Sequence, residues 1–434
     1  MKYYLAIDIG ASSGRHIIGF KENNEIKMVE IYRFNDYLLE DNGNLIWDIK
    51  KILVEVKIGI RLAIKKYPNI VSMSIDTWGC DYVLMNNDKE IYPCYSYRDS
   101  RTKSSINLVH KIIPFDELYK ITGTQYQPFN TIYQLYSDKI TGRLDNATDF
   151  LMIPEYLFYK LTGVKVKEYT NASTTGLTSL STLSFSNDII NRLGFNPELF
   201  KDLKKSGTVA CHFTSEVAKE LGCNIKMVLS STHDTASAVK GIDIPKDTPY
   251  LSSGTWSLLG VKSDIPYNGE LAKNSNYSNE YGDDYFRFQK NIMGMWIVNN
   301  LSKSYNYSID KMIKLSKLST FPGIYDVNDE MFLSSLDIVS SIDQWFTSHN
   351  LDKPTSEMDY IHATFNSLAY SYKQALDELE LITLKKYDKM YIIGGGARNT
   401  YLNELTEEYC GKKIIALPIE ATALGNIKSQ MEAE

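Results

Sequence analysis

Residues 4–15 read YLAIDIGASSGR. Apolar letters surround one acid, Asp8, and the run then breaks into Gly10, Ala11, Ser12, Ser13, Gly14 and Arg15. The pattern predicts a strand, a tight turn and a second strand, RHIIGF. Backbone N–H groups in such a Gly/Ser turn can bind anionic oxygens without a lysine, and Ser12 and Ser13 add hydroxyl donors. The stretch lacks the Gly-Lys-Ser/Thr ending of a P-loop. Asp8, at the strand end, has the chemistry to hold Mg²⁺ through water, because that ion takes oxygen ligands and keeps several waters. Arg15 adds positive charge nearby. An ordinary hairpin turn with an incidental acid accounts for the same letters.

The chain has 434 residues, too many for one ordinary core, which points to two or three domains. Hydrophobic residues make up 43% and charged residues 23%, with a net charge of −6. No basic tract stands out to neutralise phosphates, so a nucleic-acid partner is not expected. Five cysteines are scattered without a CxxC pair, so neither a zinc site nor a disulfide framework is visible, and a cytoplasmic location is the expectation. The first apolar stretch is interrupted by Asp8 and reads poorly as a signal peptide. No run is apolar for long enough to span a bilayer, so no membrane partner is expected.

Outward from the first hairpin, NDYLLEDNGN (35–44) reads as a loop. Asp48 can cap a helix whose apolar positions, from Ile49 to Ile64, recur at helical spacing. Val71, Met73 and Ile75 alternate as a strand does and lead into DTWGCD. MVLSSTHDTASAV (227–239) reads as a short strand, a small polar loop and a helix beginning near Thr235. DIPKDTP (243–249) is the best candidate for a domain boundary. After it, YLSSGTWSLLG (250–260) repeats the outline of the first hairpin, a weak sign of internal duplication. Ile361, Phe365, Leu368, Tyr372, Leu376 and Leu379 line one face of a long helix. MYIIGGGARN is a strand entering a glycine turn, and EATALGN (420–426) begins the last visible helix. Strands alternating with helices make an α/β protein.

Several stretches carry candidate chemistry. In THDTASA, Asp234 lies among small residues at a strand–helix junction. A carboxylate there can orient a hydroxyl and accept its proton during attack on a phosphate; it can equally be a helix cap. Trp78, beside Gly79, offers an aromatic face to a sugar or belongs to the core. Arg98, Asp99 and Arg101 can hydrogen-bond hydroxyl groups or form a surface charge cluster. Asn291 both donates and accepts, which suits a polyol and also a helix cap. The turn around Thr255 and the glycines at 394–396 suit a nucleotide or simply connect elements tightly. His110, His212, His349 and His362 show no metal-ligand pairing.

Taken in order, IDIGASSGR, WDI, SIDTWGCDY, YRDSRT, QPFNTIYQL, LMIPEYL, EYTNASTT, SGTV, STHDTASAV, YLSSGTWSLLG, KNIMGMW, IIGGGARN and EATALGN resemble the successive signatures of the FGGY carbohydrate kinases. The resemblance runs from residue 3 to about 427. It implies two actin-like, RNase H-like domains flanking a central cleft, divided as 1–243 and 244–434. It implies ATP-dependent phosphoryl transfer, with Mg²⁺, to O1 of the ketose L-rhamnulose. Partners would be that small-molecule sugar and ATP, with the chain a monomer or homodimer. By this resemblance Asp234 is the proton acceptor. Gly79, His233, Asp234, Thr235 and Asn291 match substrate contacts. Ala11, Ser12, Ser13, Gly14 and Arg15 match a phosphate turn, Thr255 and Gly395 match ATP positions, and Asp8 becomes the magnesium anchor. The sequence departs from the family pattern in three places. Asn299 stands where Gln is usual as an ATP contact. SNEYG (278–282) replaces TNEGG and puts Tyr281 near the sugar-side loop. The chain also stops soon after EATALGN, so a C-terminal helix is expected to be absent or short. Two other readings remain: a kinase for L-fuculose, a pentulose or a polyol, and an inactive sugar-responsive regulator.

Overall fold

The computed structural model describes residues 1–333, 335, 337–417 and 420–434. They form two compact units. The first comprises Met1–Asp243, Ser263–Arg287 and Glu420–Glu434; the second comprises Ile244–Lys262 and Phe288–Ile419. Among the described residues no helix is long and apolar enough to cross a membrane. All five cysteines are free.

The first unit is built on a six-stranded sheet. Its strands lie in the order Ala210–His212, Lys226–Val228, Ile70–Thr77, Tyr3–Ile9, Ser13–Glu22 and Glu25–Asn35. The opening stretch is the predicted hairpin, with Asp8 opposite Arg15. Its first strand runs parallel to Ile70–Thr77, and Asp8 lies beside Asp76. Successive side chains of a strand point to opposite faces. Leu5, Ile7 and Ile9 therefore meet Ile49, Ile52, Val56, Ile60 and Ala63 of the helix Ile49–Lys66. Tyr4 and Ala6 pack instead on Ala423 and Ile427 of the helix Ala421–Glu432. Both faces are covered, which explains why the strand reads as nearly continuous apolar letters. Asp8 continues the row begun by Tyr4 and Ala6. Asp48 caps its helix as expected, accepting from Lys51 N–H at 2.9 Å.

The stretch read as a loop at 35–44 is a hairpin. Leu38–Asp41 pairs with Asn44–Trp47 across Asn42 and Gly43, whose φ values are 49° and 78°. An Asn-Gly pair favours this two-residue turn, a signal outweighed in the sequence by its polar neighbours.

In the second unit, Tyr250–Ser253 pairs antiparallel with Trp256–Ser263 and parallel with Lys389–Ile393. Lys389–Ile393 in turn runs parallel to Lys413–Leu417. The strand Phe286–Met293 lies on the other side of Trp256–Ser263. A hairpin, a third meander strand and two parallel strands beyond the first thus occur in both units. The likeness between the two hairpins extends to the topology around them. The helix Glu357–Thr383 buries Ile361, Phe365, Leu368, Tyr372, Leu376 and Leu379, the predicted face.

The C-terminal helix Ala421–Glu432 crosses the helix Asp234–Gly241 at backbone distance. A Cβ on Gly425 would lie 1.8 Å from the Ser237 carbonyl oxygen, and one on Gly241 would lie 2.2 Å from that of Ala421. Gly425→Ala must push the helices apart and is expected to destabilise the protein by about 1–3 kcal/mol. Gly395→Ala, where nothing lies within 4 Å of the added carbon, is the control. Urea unfolding of both variants checks this, with the control staying within about 0.5 kcal/mol of the parent.

Candidate active site

In the first unit, three carboxylates converge where strand ends meet the start of a helix. Asp8 and Asp76 are neighbours in register, and their side chains share the face covered by the C-terminal helix. Asp234 arrives from the loop after Lys226–Val228, which joins the sheet where Thr77 N–H donates to Thr232 C=O at 2.9 Å. Asp234 is the first residue of its helix, and the cap position is His233.

Each carboxylate has different partners. Asp8 is 4% exposed and its Oδ2 lies 2.5 Å from Arg15 Nη2. Arg15 also pairs with Glu420, at the foot of the C-terminal helix. Asp76 Oδ2 accepts from Asn426 Nδ2 at 2.6 Å, while its buried Oδ1 has no partner among the described residues. Asp234 Oδ1 accepts from the Thr235 N–H at 2.6 Å and the Thr235 hydroxyl at 3.1 Å, and His233 Nε2 lies 3.4 Å away. Asp234 Oδ2 receives no hydrogen bond among the described residues.

Burial pushes the Asp8 carboxyl up, Arg15 pulls it back, and the charge of Asp234 adds to the rise. Burial, then Asp8, push Asp76 well above the usual carboxylate range. Burial alone would weaken Arg15 as a cation, but Asp8 and Glu420 more than offset this and hold it protonated.

The turn at 10–13 closes with Gly10 N–H donating to Ser13 C=O at 3.0 Å. Ser12 is exposed at its tip, and Ala11, Ser13 and Arg15 are half-buried. Gly14 is required by packing, since a Cβ there would lie 2.2 Å from the Phe34 ring. The Tyr37 hydroxyl donates to Gly10 C=O and pins the other side.

Trp78 is buried in an aromatic cluster, 4.5 Å from Trp47 and stacked on Tyr37. Its indole N–H and that of Trp47 both donate to Asp81 Oδ2, at 3.0 and 2.6 Å. Gly79 passes so close to Thr174 that a Cβ would sit 3.0 Å from its hydroxyl. Arg101, read as a possible hydroxyl ligand, is engaged with Asp138 at 2.7 Å. Tyr281 is buried against Tyr169, its hydroxyl donating to Ser179 C=O at 2.9 Å.

Two further groups hold the THDT loop, and neither stands out in the sequence. Glu168 is fully buried and accepts from the N–H and hydroxyl of Thr232 at 3.2 and 2.8 Å, and from Thr170 and Asn171. Arg287, also fully buried, reaches His233 Nδ1 at 3.2 Å and Glu280 Oε2 at 2.9 Å. Asp76 shared a readable signal with Asp8, an acid inside an apolar strand, but its adjacency to Asp8 comes only from strand pairing.

In the second unit, the two glycine turns come together. Cβ atoms on Gly394 and Gly396 would collide with Ser253, and one on Gly294 would lie 2.7 Å from Gly254 O. Thr255 thus sits in a turn walled by backbone, with Trp296 N–H donating to its carbonyl at 3.3 Å. Gly395 is exposed beside this turn. Asn291 is half-buried on the strand Phe286–Met293, and Asn299 is exposed on the helix Met295–Tyr305.

Comparison with known proteins agrees with this arrangement. Residues 3–241 match the N-terminal domain of the FGGY family of carbohydrate kinases, and residues 250–434 match its C-terminal domain. The chain belongs to this family and is an ATP-dependent carbohydrate kinase. It is 40% identical to the rhamnulokinase of Oceanobacillus iheyensis, across 99% of this chain and 93% of that one. It is 41% identical to the rhamnulokinase of Halalkalibacterium halodurans, across 100% and 94%. Among solved structures, xylulose kinase from Lactobacillus acidophilus matches with a TM-score of 0.81 at 17% identity, covering 100% of this chain and 89% of its own. Plasmodium falciparum glycerol kinase matches at 0.74 and 16%, covering 99% and 89%. At such identities these structures establish the actin-like fold alone.

The divalent ion that the resemblance implies asks for hard oxygen donors. Among the described residues no group of three or more His, Cys, Asp or Glu side chains is placed to hold a metal by itself. Mg²⁺ seldom asks for such a cage, being bound by one or two carboxylates, waters and phosphate oxygens. Asp8 and Asp76 supply hard oxygen donors, and the orphaned Asp76 Oδ1 is a buried acceptor lacking a positive partner. The donor set fits the ion.

The same crowding sets a pH dependence. A carboxyl whose pKa is raised in the folded state stabilises least once pH climbs through that raised value. Asp76→Asn keeps an acceptor for Asn426 and removes the charge. Its melting temperature should match the parent's in acid, below the ordinary carboxylate range, and exceed it increasingly toward alkaline pH, by roughly 1–2 °C per kcal/mol gained. Metal-free thermal melts across pH check the sign.

Proposed function

We propose that this protein transfers the γ-phosphoryl group of ATP to O1 of L-rhamnulose, giving L-rhamnulose 1-phosphate, with Asp234 as general base. The identities of 40 and 41% to proteins named rhamnulokinase, across nearly the full length of both chains, support the choice of substrate. The observation that carries the mechanism is the placement of Asp234. Its Oδ1 is saturated by local donors while Oδ2 is left unbonded at the head of a helix.

Phosphoryl transfer asks the protein mainly for positioning and charge neutralisation. Asp234 Oδ2 accepts the proton as the O1–H bond breaks. O1 forms its bond to the γ-phosphorus, and the bond from that phosphorus to the β–γ bridging oxygen breaks. His233, Thr235, Gly79 and Asn291 are assigned to the sugar, with Trp78 forming part of the wall behind Gly79. Amides of the 11–15 turn and Arg15 take up phosphate charge, and Thr255, Gly395 and Asn299 are assigned to the nucleotide. Asp8 would hold Mg²⁺, which when bound would supply positive charge against the phosphates.

Asp234→Asn should cut turnover by at least about a hundredfold, in keeping with loss of a general base. Ketose binding by calorimetry should change little, since the amide keeps an acceptor for Thr235. Near-normal turnover would remove Asp234 from the role. ADP release measured with L-rhamnulose, L-fuculose and pentuloses tests the substrate: L-rhamnulose should give the highest kcat/KM. A preference for another ketose would transfer the assignment to it, and ATP consumption with none would sink the reading.

A further inference from the structure

His233 sits between two groups of different character. Its Nε2 edge lies 3.4 Å from Asp234 Oδ1. Its Nδ1 edge lies 3.3 Å from Glu280 Oε2 and 3.2 Å from Arg287 Nη2. His233 is 8% exposed, Glu280 4% and Arg287 0%, so bulk water does not compete on the Nδ1 edge.

Arginine can only donate hydrogen bonds, and imidazole must choose one nitrogen as donor and the other as acceptor. Arg287 Nη2 carries two hydrogens and has two acceptors at hand, Glu280 Oε2 at 2.9 Å and the ring nitrogen. Its Nε is spent on the Tyr281 carbonyl at 3.2 Å, which fixes the plane of the fork. A hydrogen on Nδ1 would face the Nη2 hydrogen and find as acceptor only Glu280 Oε2, 3.3 Å away and already engaged by Arg287.

We infer that Arg287 is a positioning residue that, held by Glu280 and the Tyr281 carbonyl, keeps His233 in the tautomer with its hydrogen on Nε2, aimed at Asp234. Nε2–H then lies on the side of Asp234 Oδ1, 3.4 Å away, and its positive end adds to the field of the two Thr235 donors there. The negative charge of Asp234 is oriented so that Oδ2 alone faces the hydroxyl to be deprotonated. This rests on the assignment of Asp234 as base. It brings Glu280 of SNEYG and Arg287 of FRF to the site; of these stretches the sequence drew attention only to Tyr281.

The tautomer is readable without turnover. Protein labelled with [¹⁵N]histidine and held at mildly alkaline pH should show His233 with an unprotonated Nδ1 and a protonated Nε2 in long-range ¹⁵N–¹H spectra. Signal loss in His233→Gln makes the assignment. A protonated Nδ1, or an average of the two forms, overturns the inference even if Asp234 is the base. The unsubstituted chain suffices for this arm, so a variant that fails to fold does not remove the test. A double-mutant cycle supplies the kinetic arm. Arg287→Met should lower kcat on the order of a hundredfold through misplacement of the base. In a His233→Gln background the same change should cost less than about twofold, because partners in one network are non-additive. Equal losses in both backgrounds would show that Arg287 acts without His233. Arg287→Lys, which keeps the charge but not the fork, should recover only part of the loss.

Discussion

Everything in the first unit hangs on two helices that touch through bare backbone. Gly425 lies against the Ser237 carbonyl and Gly241 against that of Ala421, with no room for a Cβ at either. This crossing draws the last segment of the chain across the sheet formed by the first. Glu420 can then pair with Arg15, Asn426 can donate to Asp76, and Gln430 can donate to Leu5 C=O at 3.1 Å. The helix that carries Asp234 is held by the same contact. Strand pairing sets Asp8 beside Asp76, and the helix crossing holds the helix that begins at Asp234 against the same C-terminal helix.

That spacing is costly in electrostatic terms. Buried carboxylates near one another raise each other's pKa values, and burial penalises the charged forms further. The protein offsets part of the cost with Arg15, part with the Asn426 amide, and leaves Asp76 Oδ1 unsatisfied. Such residual strain suits an environment completed by cations and ligand rather than by the chain alone. Asp234 differs from the other two: its side chain is 30% exposed and its donors gather on one oxygen.

The second unit repeats the hairpin and parallel-strand plan with different chemistry. Its turns carry glycines where the first unit carries acids, and Gly394 and Gly396 are packed on Ser253 with no space for side chains. Glycine there permits close approach of backbone, which suits recognition of a nucleotide by main-chain groups. One topology thus supports an acid-rich site and a glycine-lined one, the difference lying in a few residues at strand ends.

Much of this was legible from the order of residues. Local signals placed the first hairpin, the Asp48 cap, the long amphipathic helix and the start of the helix at Asp234 within a residue, because period and capping act over short range. The ordered signatures identified the family and singled out Asp8, Arg15 and Asp234. Chain order alone assigns 263–287 and 420–434 to the second half, whereas the structure packs both with the first unit. EATALGN begins a helix as read, and that helix covers the 12 residues Ala421–Glu432. Asp76 beside Asp8, Asn426 on Asp76, and Arg287 behind His233 became visible only in three dimensions. Strand pairing and helix crossing join residues separated by tens to hundreds of positions, and no periodicity along the chain encodes which of them will meet.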